Sequence, residues 1–438
     1  MKSNDSEIRI KFITYVFVFC VVFFSSDTTL FGTNINTQFV SIGYIAEAIL
    51  ILLLFFLIVV NNNYLIVINK KLVILLLVFV GCIIVSSLFN HDYRGGYVIL
   101  VFVSLLGFIV SNIIPIRVFA RAFADVFKVI AVFSIIGKII TDIFPDIRKM
   151  GFVVLRSTGQ KFNHFVLYAR SIEEIGGNRN YSIFREPGDF QIFLIISIII
   201  SIVLFEKKRK NKEIIGIALL IVATLMTKST TAYIALVLVF LFLIVKSNFK
   251  ISKTGGGFVC LAILIILITC VFVRYAYMDV LLDSLKQILF EKFDSTSSSY
   301  ISSVSRRASF FVNLKIWIMN PIFGMGITDK DMLFGNLQYL MYGYGENCDT
   351  NSIMGAFSQF GIGIGMFVVT AICGLSRAAG KRRSEKILVF IIIVALLSTE
   401  YLVYSVIFNI WIWYGINVIF NCSKRIKHEG RILYERNQ

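Results

Sequence analysis

Charged residues are scarce in this sequence: they make up 16% of the 438 residues, while 57% are hydrophobic. A soluble domain usually carries about 25% charged residues, which break up its apolar runs. Here long apolar runs recur, and with their flanks they reach the roughly 20 residues that a helix needs to cross about 30 Å of hydrocarbon. Examples are 45–60, 72–85, 98–110, 192–205 and 258–273. The scarcity of charge therefore indicates an integral membrane protein.

The patterns of several other protein classes are also missing. No ten-residue alternation of apolar and polar residues occurs, so helices must satisfy the backbone inside the bilayer. No CxxC or HExxH spacing occurs, so we expect no metal site and no cofactor. Five of the seven cysteines lie in apolar runs and Cys348 stands alone in a loop, so we expect no disulfide there. No cleavage signal follows the apolar run 12–24, which we interpret as an uncleaved first span.

Basic residues are abundant, with a net charge of +17, but their positions argue against nucleic-acid binding. Most stand in short runs between apolar spans, the pattern that sets the orientation of membrane proteins. We expect an all-α integral membrane protein, one polytopic bundle of about twelve transmembrane helices over residues 1–438, with both termini cytoplasmic. The predicted spans are 10–26, 39–60, 72–89, 97–114, 119–143, 189–205, 213–227, 230–246, 257–275, 351–374, 386–401 and 404–421.

Two long segments, 141–188 and 276–350, fall on the outer side of the membrane in this topology. Neither shows a clear element of its own, apart from an amphipathic helix near 307–320 that we expect to lie on the membrane or the bundle and to stop at Pro321. Both segments carry several arginines and lysines. These are either solvated surface or an outward-facing anion site, because arginine forks suit phosphate oxygens.

For other residues in or near the predicted spans, the sequence allows two interpretations. Arg117 and Arg121 are cytoplasmic anchors or intramembrane charges, and Lys128 either pairs with Asp125 or faces a cavity. We expect His164 to be a surface residue. The glycines at 361, 363 and 365 are expected to be helix-packing positions rather than a phosphate loop, since no strand precedes them.

Four short motifs occur in order from Arg185 to Gly365. The first is F-R-E-P-G-D-F-Q at 184–191, and the second is T-K-S-T-T-A at 227–232. The third joins S-R at 305–306 to N-P-I-F-G-M-G at 320–326, and the fourth joins D-T-N at 349–351 to G-I-G at 361–363. In this order, on a twelve-span chain with a large loop between spans nine and ten, they resemble the motifs of the O-antigen polymerase and O-antigen ligase family.

The resemblance implies a reaction. Family members join undecaprenyl-pyrophosphate-linked oligosaccharide repeat units into an O-antigen or capsule on the outer face of the cytoplasmic membrane. The implied partners are these lipid-linked sugars and the lipid bilayer, together with a flippase and a chain-length regulator. The implied catalytic residues are Arg185, Arg306, Asp349 and Glu186, with Arg185 and Arg306 clamping the pyrophosphate. The implied substrate-binding residues are Arg307, Lys228, Asn351, Ser229 and Arg179.

Several roles stay open at this point. The general base could be Asp349, Glu346, Glu186 or Asp189, and Asn351 could cap span ten instead of binding a sugar. Arg185 could be bound to Glu186 or Asp189 as a structural ion pair.

One departure from the family bears on the type of enzyme. The ligases have a histidine where this chain has Thr350, which favours a polymerase. A ligase-like transfer of polymer to another acceptor and a lipid-linked oligosaccharide flippase are the alternatives. The flippase is disfavoured because we find no internal repeat and because the polar residues concentrate on the outer side.

Overall fold

The structure is a computed structural model that describes residues 2–25, 27–31, 45, 49, 69–155, 161–165, 167–171, 179–206, 210–247, 298–343 and 349–435. These residues are mostly helical and form twelve α-helices. The helices are α1 (Lys2–Phe23), α2 (Lys70–Phe89), α3 (Gly95–Ile113), α4 (Ile116–Ile143), α5 (Pro187–Val203), α6 (Lys210–Met226), α7 (Thr230–Ser247), α8 (Ser298–Met319), α9 (Gly326–Tyr342), α10 (Ser352–Ala379), α11 (Arg383–Leu397) and α12 (Val406–Glu435). The predicted spans 39–60 and 257–275 lie outside the described residues, apart from residues 45 and 49.

Three of these helices, α2, α3 and α10, are long and apolar enough to cross a membrane. Shorter apolar stretches of 10–17 residues occur in α1, α5, α7 and α12. On α2 and α3, large apolar side chains point away from the bundle, with Leu77 65% exposed and Val98 71% exposed. Lipid would cover such side chains, so they agree with membrane association. The number of twelve spans stays a prediction.

The centre of the bundle is formed by α3, α10 and α12, which approach closely at small residues. A Cβ at Gly374 of α10 would collide with the backbone of Gly415 in α12, and a Cβ at Gly107 of α3 would collide with Asn409 and Trp413. Polar side chains also link α3 to α12, since the hydroxyl of Tyr414 donates to the carbonyl of Ile114 at 2.9 Å. Small residues and buried hydrogen bonds of this kind hold helices together where lipid replaces water.

The segment 141–188 contains structure that the sequence did not predict, so the all-α expectation is incomplete. A 3-10 helix (Pro145–Lys149) leads into a three-stranded antiparallel sheet of β1 (Phe152–Leu155), β2 (Lys161–Phe165) and β3 (Tyr168–Ser171), in the order β1-β2-β3. Three consecutive residues of β2 are buried, so both of its faces are covered. A strand covered on both faces shows no alternation of apolar and polar residues, which explains why the pattern was missed.

His164 lies in the middle strand of this sheet, opposite Phe152 and Ala169. The expectation of a surface residue was wrong, because the side chain is 7% exposed. Burial lowers the pKa of His164 to about 4, only partly opposed by a hydrogen bond to the backbone of Phe165. The imidazole is therefore neutral at pH 7 and belongs to the packing of the sheet.

Helices α8 and α9 form a hairpin in the segment 276–350, with a small apolar core of their own. Helix α8 ends at Met319, and the chain from Pro321 to Gly324 packs on a break in α10 at Gly361. Gly361 has a φ of +79°, and a Cβ there would collide with the carbonyl of Ile322. The interpretation of Gly361 as a helix-packing glycine was therefore wrong: it allows the backbones of the third and fourth motifs to touch.

Candidate active site

Arg185 is held at the end of the bundle where α1 ends and α5 begins. Its backbone N–H donates to the carbonyl of Asp27 at 2.9 Å, and Phe184 beside it is fully buried. Pro187 occupies the first turn of α5, where a missing N–H has no cost. This geometry fixes the arginine just outside the helix.

The guanidinium of Arg185 pairs with Asp189, one turn into α5, with 2.9 Å between Nε and Oδ2. The carboxylate of Asp189 is the main reason that the pKa of Arg185 is raised, so the guanidinium stays charged. Asp189 is fully buried, whereas 23% of the Arg185 side chain is accessible. The ion pair orients the arginine and leaves part of it open to an incoming anion.

Arg179 links the second motif, at 227–232, to the loop that carries Arg185. Its Nε donates to the carbonyl of Thr227 at 3.0 Å, and the N–H of Asn180 donates to the carbonyl of Met226 at 2.9 Å. Lys228 and Ser229 follow directly, and Lys228 has the unusual φ of +50°. Burial, and then the positive charge of Arg306, lower the pKa of Arg179. The motif at 227–232 is therefore next to the one at 184–191.

Arg306 completes the group, which we name the arginine cluster: Arg179, Arg185 and Arg306. It is half-buried on α8 and makes no hydrogen bond or ion pair with the described residues. Its charge nevertheless acts on Arg179 and on Glu400. Residues 179, 185 and 306 thus all lie within electrostatic range of Glu400 at one end of the bundle, which we call the arginine end.

Glu400 is the acidic residue that the sequence reasoning missed. It lies between α11 and α12, is 7% exposed, and packs so closely on Gly188 that a Cβ there would collide with its carboxyl group. Burial raises the pKa of Glu400 well above its usual value, and the charges of Asp189 and Glu186 add to this, while Arg306 and Arg185 oppose it. The available signal was a single acid between two apolar runs. Residue 400 fell in the predicted span 386–401, whereas α11 ends at Leu397.

Asp349 and Asn351 of the fourth motif have structural partners. Asp349 accepts a hydrogen bond from Asn313 at 2.9 Å and pairs with Lys330 at 2.5 Å, and Lys330 lies over the ring of Tyr401. The side chain of Asn351 accepts a hydrogen bond from the N–H of Met354 at 2.8 Å and so caps α10. These contacts anchor the loop next to Glu400 through Tyr401.

The remaining candidate site residues lie at the edge of the arginine cluster or outside the described residues. Glu186 and Arg307 are exposed, and Glu186 contributes charge to the cluster, whereas the side chain of Arg307 makes no hydrogen bond or ion pair with the described residues. Glu346, one of the candidate bases, lies outside the described residues. The N–H of Thr350 donates to the hydroxyl of Ser309 at 2.8 Å, so Thr350 lies next to α8.

The arrangement suits an anionic ligand and a proton transfer. Among the described residues, no group of three or more His, Cys, Asp or Glu side chains could hold a metal ion. Arginines offer planar donor forks for phosphate oxygens, and a nearby buried carboxyl with a raised pKa can take up a proton. No protein-family model matches this sequence, and no curated protein matches it either.

Proposed function

We propose that the chain is a polysaccharide polymerase that joins undecaprenyl-pyrophosphate-linked oligosaccharide repeat units at the outer face of a bacterial cytoplasmic membrane. In this proposal the chain crosses the membrane twelve times with both termini in the cytoplasm, and the arginine end faces outward. The observation that carries the proposal is the meeting of Arg179, Arg185 and Arg306 beside Glu400. These residues come from three separate segments: the loop at 179–186, helix α8, and the connection between α11 and α12. The first two carry motifs that resemble those of the polymerase family.

The arginine cluster suits the pyrophosphate of the lipid carrier. A diphosphate bears two or three negative charges, and its leaving oxygen gains charge as the glycosidic bond breaks. Arg185 is fixed by Asp189 but partly accessible, and Arg306 has no counter-ion among the described residues. Donors that are oriented beforehand stabilise such a developing charge without reorganising. Lys228 and Ser229, next to Arg179, would extend the contact to the phosphate.

Glu400 is then the general base. A hydroxyl oxygen of the acceptor sugar attacks the anomeric carbon of the donor, and the bond from that carbon to the pyrophosphate oxygen breaks with its electron pair. The hydroxyl proton passes to the carboxylate of Glu400, and undecaprenyl pyrophosphate leaves. A base with a raised pKa holds a proton more strongly and so accepts it better, provided that it is ionised at the working pH.

Asp349 and Asn351 receive positioning roles in this scheme. Asp349 fixes Lys330 against Tyr401, the neighbour of Glu400, and Asn351 fixes the start of α10. Glu186 adds negative charge near Glu400 and so keeps its pKa high. Arg307 lies next to Arg306 on an exposed face of α8, where it would meet the sugar chain or solvent.

The proposal is tested in the producing cell by deletion of the gene. A polymerase deletion leaves single lipid-linked repeat units on the outer face of the membrane, and complementation with the wild-type chain restores long polymer. Repeat units that accumulate on the inner face would indicate a flippase. Long polymer that is made but not attached to its acceptor would indicate a ligase, and either outcome would overturn the proposal.

A further inference from the structure

A deep crevice opens at the end of the bundle opposite the arginine end. It encloses about 1000 Å³ between α4, α5, α10, α11 and α12. The part lined by α5 runs from Ile192 to Leu204, which corresponds to about 18 Å along a helix axis. One leaflet of a membrane has about 15 Å of hydrocarbon, half of the roughly 30 Å core. The crevice is therefore as deep as a single leaflet.

The walls of this crevice are apolar. Ile196, Ile200 and Val203 line it from α5, and Ile393, Leu396 and Trp411 line it from α11 and α12. A largely apolar cavity of this depth offers few hydrogen bonds to a sugar or a free phosphate, because the lining side chains of Tyr15, Tyr414 and Asn417 are already bonded within the protein. It suits a hydrocarbon chain, because the free energy of such a chain falls when it leaves water or less well-packed lipid.

The mouth of the crevice is basic. Five cationic side chains stand there against two carboxylates, Glu206 and Glu385: Arg117, Arg121, Lys246, Arg377 and Lys381. Arg121 is neutralised by its pairs with Glu206 and Glu213, and Lys246 donates to the carbonyl of Ile202 at 3.0 Å.

The other three cations at the mouth are free to meet a ligand. Arg117, Arg377 and Lys381 are exposed, and within the described part of the chain their side chains form no ion pair. Positive charge thus remains where the apolar crevice opens, at the level that the headgroups of one leaflet would occupy.

We propose that the basic crevice binds one anionic phospholipid, with its phosphate at Arg117, Arg377 and Lys381 and its acyl chains between α5 and α11. Basic pockets between transmembrane helices on the cytoplasmic side are where anionic headgroups bind. The inference rests on the membrane embedding in the proposed function, but not on the polymerase reaction. The lipid-linked sugar is a different ligand, since its pyrophosphate is proposed to bind at the arginine end.

The test uses the full-length chain, purified in mild detergent and stripped of lipid. Phosphatidylglycerol and phosphatidylcholine are titrated in turn, and bound lipid is counted by native mass spectrometry. We expect phosphatidylglycerol to bind at least about tenfold more tightly, because each cation near the headgroup strengthens binding severalfold. Equal binding of the two lipids would overturn the proposal. The finding that another segment of this chain fills the crevice would overturn it as well.

Charge variants test the mouth. The double variant Arg377→Ala/Lys381→Ala should weaken phosphatidylglycerol binding roughly tenfold and leave phosphatidylcholine unchanged. The control Arg94→Ala/Lys315→Ala removes two exposed cations away from the crevice and should leave both affinities unchanged. If both double variants weaken binding equally, general surface charge is responsible and the site is wrong.

Filling variants test the crevice itself. Ile200→Trp and Ile393→Trp enlarge half-buried side chains on opposite walls, so one variant remains informative if the other does not fold. Each folded variant should lose phosphatidylglycerol binding. Retained binding would show that the acyl chains lie elsewhere, and binding of glycerol 3-phosphate as tight as that of the lipid would show a site for a soluble anion. Neither readout needs polymer, so an inactive polymerase would not affect the result.

Discussion

The two ends of the bundle both carry buried charge, but they balance it differently. Opposite the arginine end, Arg121 and Lys128 of α4 share Glu213, with further contacts to Glu206 and Asp125; we call these five residues the α4–α6 network. Each cation there contacts two carboxylates. At the arginine end the one direct ion pair among the described cluster residues is Arg185 with Asp189.

The difference separates structural from functional charge. Buried ions that are fully paired hold helices in register and have little capacity left for a ligand. Arg306 and Glu400 are close enough to influence each other, yet neither side chain is bound to a partner among the described residues. A site that waits for an anionic substrate needs such unsatisfied groups. Three predictions test this contrast, and a fourth concerns the sheet.

Replacement of Arg185 should have the largest effect. Arg185→Ala removes an oriented donor to the pyrophosphate, and loss of one such donor typically slows a reaction about 100-fold or more. Arg185→Lys should be nearly as slow, since a lysine cannot form the planar fork. The measurement is polymer length and rate in cells at equal protein level.

Two controls separate catalysis from folding at this position. Arg185→Ala/Asp189→Asn removes the buried charge that would be left unpaired and should restore protein level without restoring polymer. Arg94→Ala removes an exposed arginine and should change neither. Normal polymer in the double variant would show that Arg185 is structural.

Glu400→Gln should slow polymerisation about 100-fold, because it removes the proton acceptor while keeping the shape of the side chain. The rate of the wild type should rise with pH through the raised pKa of Glu400, since only the ionised carboxylate accepts a proton. The variant should lose that pH dependence. A pH profile that is the same in both proteins would assign the base to another residue.

Lys128→Met should reduce stability and leave polymer unchanged. Asp125 and Glu213 lose a shared cation, and we expect a loss of about 1–3 kcal/mol, less than for a fully buried pair because Asp125 is 33% exposed. Thermal unfolding in detergent measures this, with Lys315→Met as a control for an exposed cation. Loss of polymer at normal stability would contradict the structural role of the α4–α6 network.

The smallest effect concerns His164 in the sheet. Its pKa of about 4 in the folded chain lies below the ordinary value of about 6.5, so the unfolded chain binds the proton more readily. Stability should fall as the pH drops from about 6.5 toward 4, by about 1–2 kcal/mol at pH 5. His164→Phe should remove this part of the pH dependence of the unfolding midpoint, and an unchanged dependence would show that His164 is accessible to protons.

Local patterns in the sequence were sufficient for the long apolar helices, and all three arginines of the cluster were among the predicted site residues, whereas helix α9 was not predicted. Apolar runs marked α2, α3 and α10, and motif order drew attention to Arg185 and Arg306. The convergence of these arginines could not be read from the sequence, because it depends on how Asp27 and Thr227 hold the loop at 179–186.

Other features were invisible for physical reasons. Glu400 had no motif around it, and its importance arises from contacts with Gly188 and the charge of Arg306. The sheet was hidden because β2 is covered on both faces. Gly361 resembled a helix-packing glycine because nothing in its local sequence shows that the backbone must be left-handed. That requirement comes from the close approach of the segment at Ile322.

A pair of cations on helix α8 tests whether the cluster arginine that has no partner among the described residues is needed for polymerisation. Purified protein with a lipid-linked repeat unit is assayed for polymer on a gel, with Arg306→Ala beside Lys315→Ala. Both residues lie on α8, but Arg306 is half-buried next to Glu400, whereas Lys315 is exposed. Arg306→Ala should make no long polymer, and Lys315→Ala should match the wild type. Full-length polymer from Arg306→Ala would contradict this expectation.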